Sequence, residues 1–424
     1  MRRSPWLILA ALAALAGLVF ASFSTHDFVQ HLDRQVHSIT CSFMPGLADP
    51  LMGESGCQAT MMSPYSSVFR TSMWGGLPIS LPGMALFAFL LFRTLDLLFN
   101  QPESARAPRI FLVAAAAVPL LTSLVMGYIA FNVLDAACKL CIGIYVASVV
   151  FFVAAVLEWR TAPRRVPGED TSHDDAAPSR AYVYGVGTAV GFVAVPVLVY
   201  TLLVPDQSKY IGACGELPAV DGIASTLVAV GGASGGKAAV ELLDPLCASC
   251  KAMEGRLEAS GLGAQLDRKA ILFPLDHCNW NVGAAMHPGA CVVSEAVLCS
   301  GAKADEVLQW AYAHQAEIKA VADTAAGPEQ AGEDVKARNK RVDDAVAAHV
   351  AGAFPGVKSC LGTPAVRKQL GDGMRWASRN QLPVTTPQLF VEGRKLCDED
   401  TDLGLDYALS RLIARGPAAS EATP

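Results

Sequence analysis

Two pairs of cysteines stand three residues apart, Cys138 with Cys141 and Cys247 with Cys250. Thiols at that spacing lie one helical turn apart and can close or reopen a disulfide. A cysteine at a helix N-terminus feels unpaired N–H groups and the positive end of the helix dipole, which favour its thiolate. Cys247 follows "KAAVELLDP", which reads as a buried strand and turn, and "CASCKAMEGRLEASG" reads as a helix. Cys247 is therefore the expected attacking sulfur and Cys250 the resolving one. Zinc would need two more ligands, and the first pair begins 109 residues earlier inside an apolar run, so no metal centre is expected. Covalent haem attachment needs a histidine where Ile142 and Lys251 stand, so it is excluded.

The first pair poses a different problem. "DAACKLCIGIYVASVVFF" carries Cys138 and Cys141 straight into a segment too apolar for a loop. The whole chain has 52% hydrophobic and 17% charged residues, the balance of a membrane protein with a soluble part. Five stretches have about the length a spanning helix needs: Trp6–Phe23, Leu77–Phe92, Ile110–Leu134, Leu140–Leu157 and Tyr182–Val204. The first exceeds what a signal peptide requires and is read as retained. The second is short, and Arg93 is expected to snorkel and extend it. Arg2, Arg3, Arg106, Arg109, Arg160, Arg164 and Arg165 fall in alternate loops, which marks those loops as cytoplasmic. Residues 24–76, the turn near Asp135–Cys138 and everything after Val204 then lie outside. All twelve cysteines fall on that outer side or at its membrane boundary, as an oxidising compartment would require. A net charge of −6 without a long basic run argues against a nucleic-acid partner.

Residues 1–160 are thus expected to form a membrane helical bundle, and 161–204 a cytoplasmic linker and fifth span. Residues 205–236 read as a further linker, 237–415 as a soluble α/β domain, and 416–424 as a disordered tail. The outer loop 24–76 is rich in proline and glycine and reads as irregular. A helix-rich stretch from about Met286 to Arg379 precedes "TPQLFVEGRKLC", a strand, a turn at Gly393 and a second strand. "DLGLDYALSRLIAR" closes the domain as an amphipathic helix.

The strand–CxxC–helix order, with Thr386-Pro387 before a terminal hairpin and helix, resembles the thioredoxin fold. The 140 positions between Cys247 and Pro387 resemble its DsbA-like branch, which carries a helical insertion. That resemblance implies a cis bond at Thr386-Pro387, facing the active cysteines and pairing with a bound polypeptide. In the membrane part, Cys57, "SPY" at Ser63–Tyr65, "GLPISLPGM" and "CKLCIGIY" together resemble the vitamin K epoxide reductase family. This resemblance covers roughly residues 5–160. It implies a four-helix membrane bundle that oxidises thiols and reduces a quinone, ubiquinone or menaquinone. Cys138 and Cys141 would be the membrane pair, and Cys41 and Cys57 the relay from the soluble domain. Ser63 would hydrogen-bond a quinone carbonyl and Tyr145 would wall the ring. The chain departs from the family in the fifteen residues between Cys41 and Cys57, a long spacer, and in having no asparagine within "MWGGLPISLPG".

The expected fold class is a four-helix membrane bundle plus a fifth span, followed by a C-terminal thioredoxin-like domain with a helical insertion. The expected function is disulfide formation in exported proteins. Reduced substrate proteins would give electrons to Cys247/Cys250, then to Cys41/Cys57, then to Cys138/Cys141 and the membrane quinone pool. The expected location is a bacterial inner membrane, crossed several times, with the soluble domain on the periplasmic side. A quinol-driven reductase running the other way, or a membrane-anchored isomerase or chaperone, are the alternatives. Cys214, Cys278, Cys291, Cys299, Cys360 and Cys397 are expected to form structural bridges, whose pairing the sequence leaves open among 15 possibilities.

Overall fold

The computed structural model describes residues 4–35, 56–100, 106–134, 136, 138–162, 178–328 and 334–416. Cys41, Asp135, residues 163–177 of the linker before the fifth span and the C-terminal tail lie outside the described residues. The chain divides into two compact units, residues 1–206 with 402–404 and residues 207–401 with 405–424.

The first unit is helical, with α1 (Pro5–Gln30), α2 (Gly56–Met62), α3 (Ser80–Phe99), α4 (Arg106–Asn132), α5 (Lys139–Thr161) and α6 (Pro178–Leu203). A two-residue hairpin, β1 (Ser67–Val68) with β2 (Leu77–Pro78), joins α2 to α3. Among the described residues five helices are long and apolar enough to cross a membrane. α1 packs against α3 and α5, and α4 closes the bundle against α5. Small residues on α1 and α5 permit this: the Gly17 backbone meets the Phe87 ring of α3, and Gly143 of α5 meets Phe20 of α1. A methyl group at either glycine would fall within 2.8 Å of those rings, so a larger residue would push the helices apart. α6 lies against α3 and α4 with only 6% of its most apolar window buried, as a helix facing lipid would.

Three expectations change here. Arg93 does not snorkel: α3 runs on to Phe99, and Arg93 is buried, bonded to Asp96 at 2.9 Å and set over the Tyr184 ring. Its charge is met inside the bundle, so it has no need of the interface. Arg109 is likewise no free loop cation, since its Nε meets Glu158 at 2.9 Å, with both side chains buried. The outer segment read as irregular carries α2 and the hairpin. Tyr200 of α6 donates to the Gly76 carbonyl at 2.7 Å and Ser67 to that of Gly75 at 2.7 Å, so the hairpin backbone is satisfied.

The second unit is α/β. Its strands are β3 (Val228–Gly232), β4 (Lys237–Leu243), β5 (Leu266–Leu272), β6 (Gln388–Val391) and β7 (Arg394–Lys395), in sheet order β3-β5-β4-β6-β7. Only β4 and β5 run parallel; every other neighbour pair is antiparallel. α7 (Ala248–Ser260) makes the crossover from β4 to β5. Five helices, α8 (Ala290–Cys299), α9 (Ala304–Ala313), α10 (Gln315–Ala326), α11 (Val335–Ala353) and α12 (Pro364–Arg379), fill the interval before β6, and α13 (Leu405–Arg415) follows β7. β4 is buried along most of its length, so the sheet centre lies in the core with α7 and the inserted helices around it.

The stretch 205–236, expected as a linker, is structured. It supplies β3, a bridge from Glu216 to Arg394, and Cys214, which is disulfide-bonded to Cys397. The remaining bridges are Cys278–Cys291 and Cys299–Cys360. Linking residues 183 positions apart, Cys214–Cys397 ties the start of the unit to its last hairpin.

Candidate active sites

In the first unit, Cys138 ends the α4–α5 turn with extended backbone and caps α5: its sulfur accepts the Cys141 N–H at 3.2 Å. Cys141 follows one turn later. Cys138, Leu140 and Cys57 of α2 form one buried cluster, against which Phe20, Met61 and Cys141 pack. Cys138 and Cys141 are free thiols, whereas Cys57 is engaged in a disulfide.

These sulfurs open on a cavity of about 420 Å³ enclosed by α1, α2, α3, α4 and α5. Phe87, Leu86, Val118, Met126 and Ile144 make it apolar, and Thr60, Ser63, Ser66, Ser80 and Asp27 add polar groups. Cys57, Cys138, Cys141, Ser63 and Tyr145 all line this one space. Ser63 donates its hydroxyl to the Thr60 carbonyl at 2.7 Å, so to donate elsewhere it must leave that carbonyl. Thr60 and Asp27 were not foreseen. The signal for Thr60 was its place three residues after Cys57, invisible while α2 was read as irregular.

The model of the Vitamin K epoxide reductase family matches residues 7–156. This segment is a domain of that family. The match runs from α1 to α5 and includes every residue around the cavity's sulfurs. It makes the first unit a redox enzyme of the membrane, of a family that is quinone-linked in general. No curated protein matches the chain. The cavity fits a quinone ring: its volume is within the range of small-molecule sites, its walls are apolar, and two free thiols sit at one end.

The second unit builds its CxxC from β4. Asp244 ends the strand region, its carboxylate accepting the Leu246 N–H at 2.7 Å and its carbonyl the Cys247 N–H at 3.1 Å. That turn delivers Cys247 as the N-cap of α7. The Cys247 sulfur lies 3.5 Å from the Thr386 carbonyl, and the Thr386-Pro387 bond is cis. Gln315 of α10 donates to the carbonyls of Pro245 and Cys247, both at 3.1 Å. Both thiols are buried and free.

The two sulfurs are electrostatically unlike. The Cys250 thiol, bonded to Cys247, lowers the Cys247 pKa to about 6; burial opposes this, and Thr386 and the Cys250 N–H add to it. Burial pushes Cys250 well up, and its bond to Cys247 pushes the same way. The unit thus holds one thiolate and one thiol at neutral pH.

Close to the core lies a charged group that sequence reasoning missed. Glu241 of β4 is buried and paired with Arg268 of β5 at 2.6 Å, and Arg268 also bonds Glu254 of α7. Burial raises the Glu241 pKa against the pull of Arg268. A carboxylate inside the otherwise apolar "AAVELL" was the available signal. The cluster of Asp276, His277 and Cys291 has ligand-type spacing, but the Cys291 sulfur is spent on its disulfide with Cys278.

Proposed function

We propose that the chain is a protein thiol:quinone oxidoreductase that forms disulfides in exported proteins. One observation carries the reading: within the vitamin K epoxide reductase domain, a single apolar cavity gathers a free CxxC pair with the disulfide-bonded Cys57. The second unit would serve as its thioredoxin-like partner. Its strand–CxxC–helix order, its inserted helices and the carbonyl of Thr386 beside Cys247 support that role.

A thiolate of a reduced client would attack Cys247 of the oxidised pair, releasing Cys250. The client's second thiolate then closes its own disulfide and frees Cys247, so two electrons and two protons pass to the pair. Cys57 with Cys41 would re-oxidise Cys247/Cys250 by the same exchange, and Cys138/Cys141 would re-oxidise them in turn. A quinone bound in the cavity would accept the two electrons and two protons as it becomes a quinol. Cys138, at the helix N-terminus, holds its sulfur against a backbone N–H, while Tyr145, Phe87 and Ile144 keep water from that end. Both units on one chain raise the effective concentration of each dithiol near the next. The lowered Cys247 pKa supports the oxidising direction: a sulfur held toward its thiolate favours the reduced pair, which makes the disulfide form the better oxidant. The arginine pattern of the loops supports placing the second unit on the non-cytoplasmic side, which in a bacterial inner membrane is the periplasm.

The test is quinone reduction by purified protein in detergent, without oxygen, driven by a reduced unfolded protein. Wild type should reduce the quinone, and both Cys141→Ala and Cys247→Ala should lose it. Reshuffling of client disulfides with no quinone reduction in wild type would replace this reading with that of an anchored isomerase.

A further inference from the structure

Forty residues beyond Cys247, the loop between β5 and α8 returns to the active turn. Its His287 places Nδ1 2.7 Å from Asp244 Oδ2, while its backbone N–H donates to the Leu275 carbonyl at 3.0 Å. Asp244 is wholly buried and also takes the N–H groups of Leu246 and Leu275. Its carboxylate is therefore fixed in place, and its own carbonyl holds the Cys247 N–H. Alone, that carboxylate would work against a thiolate three residues away. The Cys278–Cys291 disulfide closes the loop that carries the histidine, and Asp276 accepts the N–H groups of Gly289 and Cys291 just after it.

We infer that His287 is a positioning residue that keeps a positive charge on Asp244 and so holds the Cys247 sulfur as its thiolate. The inference rests on Cys247 being the attacking sulfur of the proposed function. It locates the cation outside the CxxC motif, whose intervening residues, Ala248 and Ser249, carry no charge.

The groups facing Cys247 come from every side of the site. Cys250 belongs to α7, Asp244 to the end of β4, His287 to the loop, and the neutral carbonyl of Thr386 to the segment before β6. Gln315 of α10 is neutral, the buried Tyr312 of α9 feels Cys250 rather than Cys247, and Lys251 is exposed to solvent. His287 is the cation of this set that the fold pins in place. Burial works against its charged form, but the bond to Asp244 and the charge of that carboxylate outweigh burial and raise its pKa. The Cys247 thiolate adds in the same direction, so the two ionisations favour one another.

The experiment follows alkylation of Cys247 by iodoacetamide across pH, read by peptide mass spectrometry on the reduced full-length protein in detergent. Three forms are compared: wild type, His287→Gln, which keeps a donor for Asp244, and His287→Lys, which keeps the charge. Wild type should titrate near 6. His287→Gln should move the midpoint up by about one pH unit, and His287→Lys should bring it most of the way back. A wild-type midpoint near 6 that His287→Gln leaves in place would overturn the inference alone. A shift in His287→Gln that His287→Lys does not reverse would also overturn it, because the contact rather than the charge would then matter. A wild-type midpoint in the ordinary thiol range would overturn the assignment of Cys247 itself. Melting curves of each variant confirm that the fold is kept.

Discussion

The chain uses one short motif twice, and the two copies face different chemistry. Cys138 and Cys247 both sit in extended backbone as the first residue before a helix, and each partner cysteine follows one turn later. The backbone and spacing are therefore the same. The surroundings are not. Cys138 and Cys141 open on an apolar cavity within the bundle, walled by Phe87, Ile144 and Tyr145. Cys247 meets a backbone carbonyl at Thr386 and a charged pair, Asp244 and His287. A helix N-terminus makes a sulfur reactive; on the proposed function, what walls it decides whether the reactant is a lipid-soluble ring or a polypeptide.

The sharpest way to break that comparison is to bypass one site. A small dithiol can bypass Cys247/Cys250 by reducing the Cys57 disulfide without any client protein. Cys247→Ala should therefore lose client-driven quinone reduction and keep most of the rate driven by dithiothreitol. Cys141→Ala should lose both, to background. Equal loss in the two variants under dithiothreitol would show that the sites do not divide the reactants in this way.

A second contrast concerns charge inside each unit. The membrane unit buries Arg109 against Glu158, which also takes the Ser4 hydroxyl. The second unit buries Arg268 between Glu241 and Glu254. Removing one member of a buried pair strands the other, at a cost of about 3–5 kcal/mol. Arg268→Met strands two carboxylates and should be the more damaging change in denaturant unfolding. Arg109→Met should destabilise less, and the Arg109→Met/Glu158→Leu double variant should recover most of the loss. Recovery absent from the double variant would mean that the pair contributes more than mutual neutralisation.

The spanning helices were legible in the sequence because hydropathy is local and additive: each stretch declares itself without reference to any other. The strand, turn and helix around Cys247 were legible for the same reason. What escaped depends on partners far along the chain. β3 hides in "VAVGGASGGK", a glycine-rich run that looks like a linker until β5 supplies its hydrogen bonds. α2 is seven residues long, too short to hold itself together, and rests on contacts made by Cys57 and Met62. Arg109 looked like a boundary marker because its partner, Glu158, lies 49 residues on, whereas Asp96, three residues after Arg93, stood at a spacing that a helix makes neighbours. His287 has no sequence neighbour that pairs with it; Asp244, 43 residues before it, is its partner.

The smallest effect comes from the other histidine of that loop, and it separates the two His–Asp pairs. His277 sits between two carboxylates, Asp276 at 3.1 Å and Asp343 of α11 at 3.2 Å. The bond to Asp276, then that to Asp343, raises its pKa from 6.5 to about 10 against burial. A folded-state value above the unfolded one means that protonated His277 stabilises the fold. That contribution is fully present below about pH 6.5, shrinks as pH rises, and is gone above about 10. Melting temperature of the full chain should thus fall over this window more steeply in wild type than in His277→Gln. The Cys247 alkylation midpoint should be the same in both, because Asp276 and Asp343, not Asp244, hold His277. A midpoint that moved with His277→Gln would join the two pairs into one electrostatic unit and remove the distinction between the histidine that secures α11 and the one that serves the sulfur.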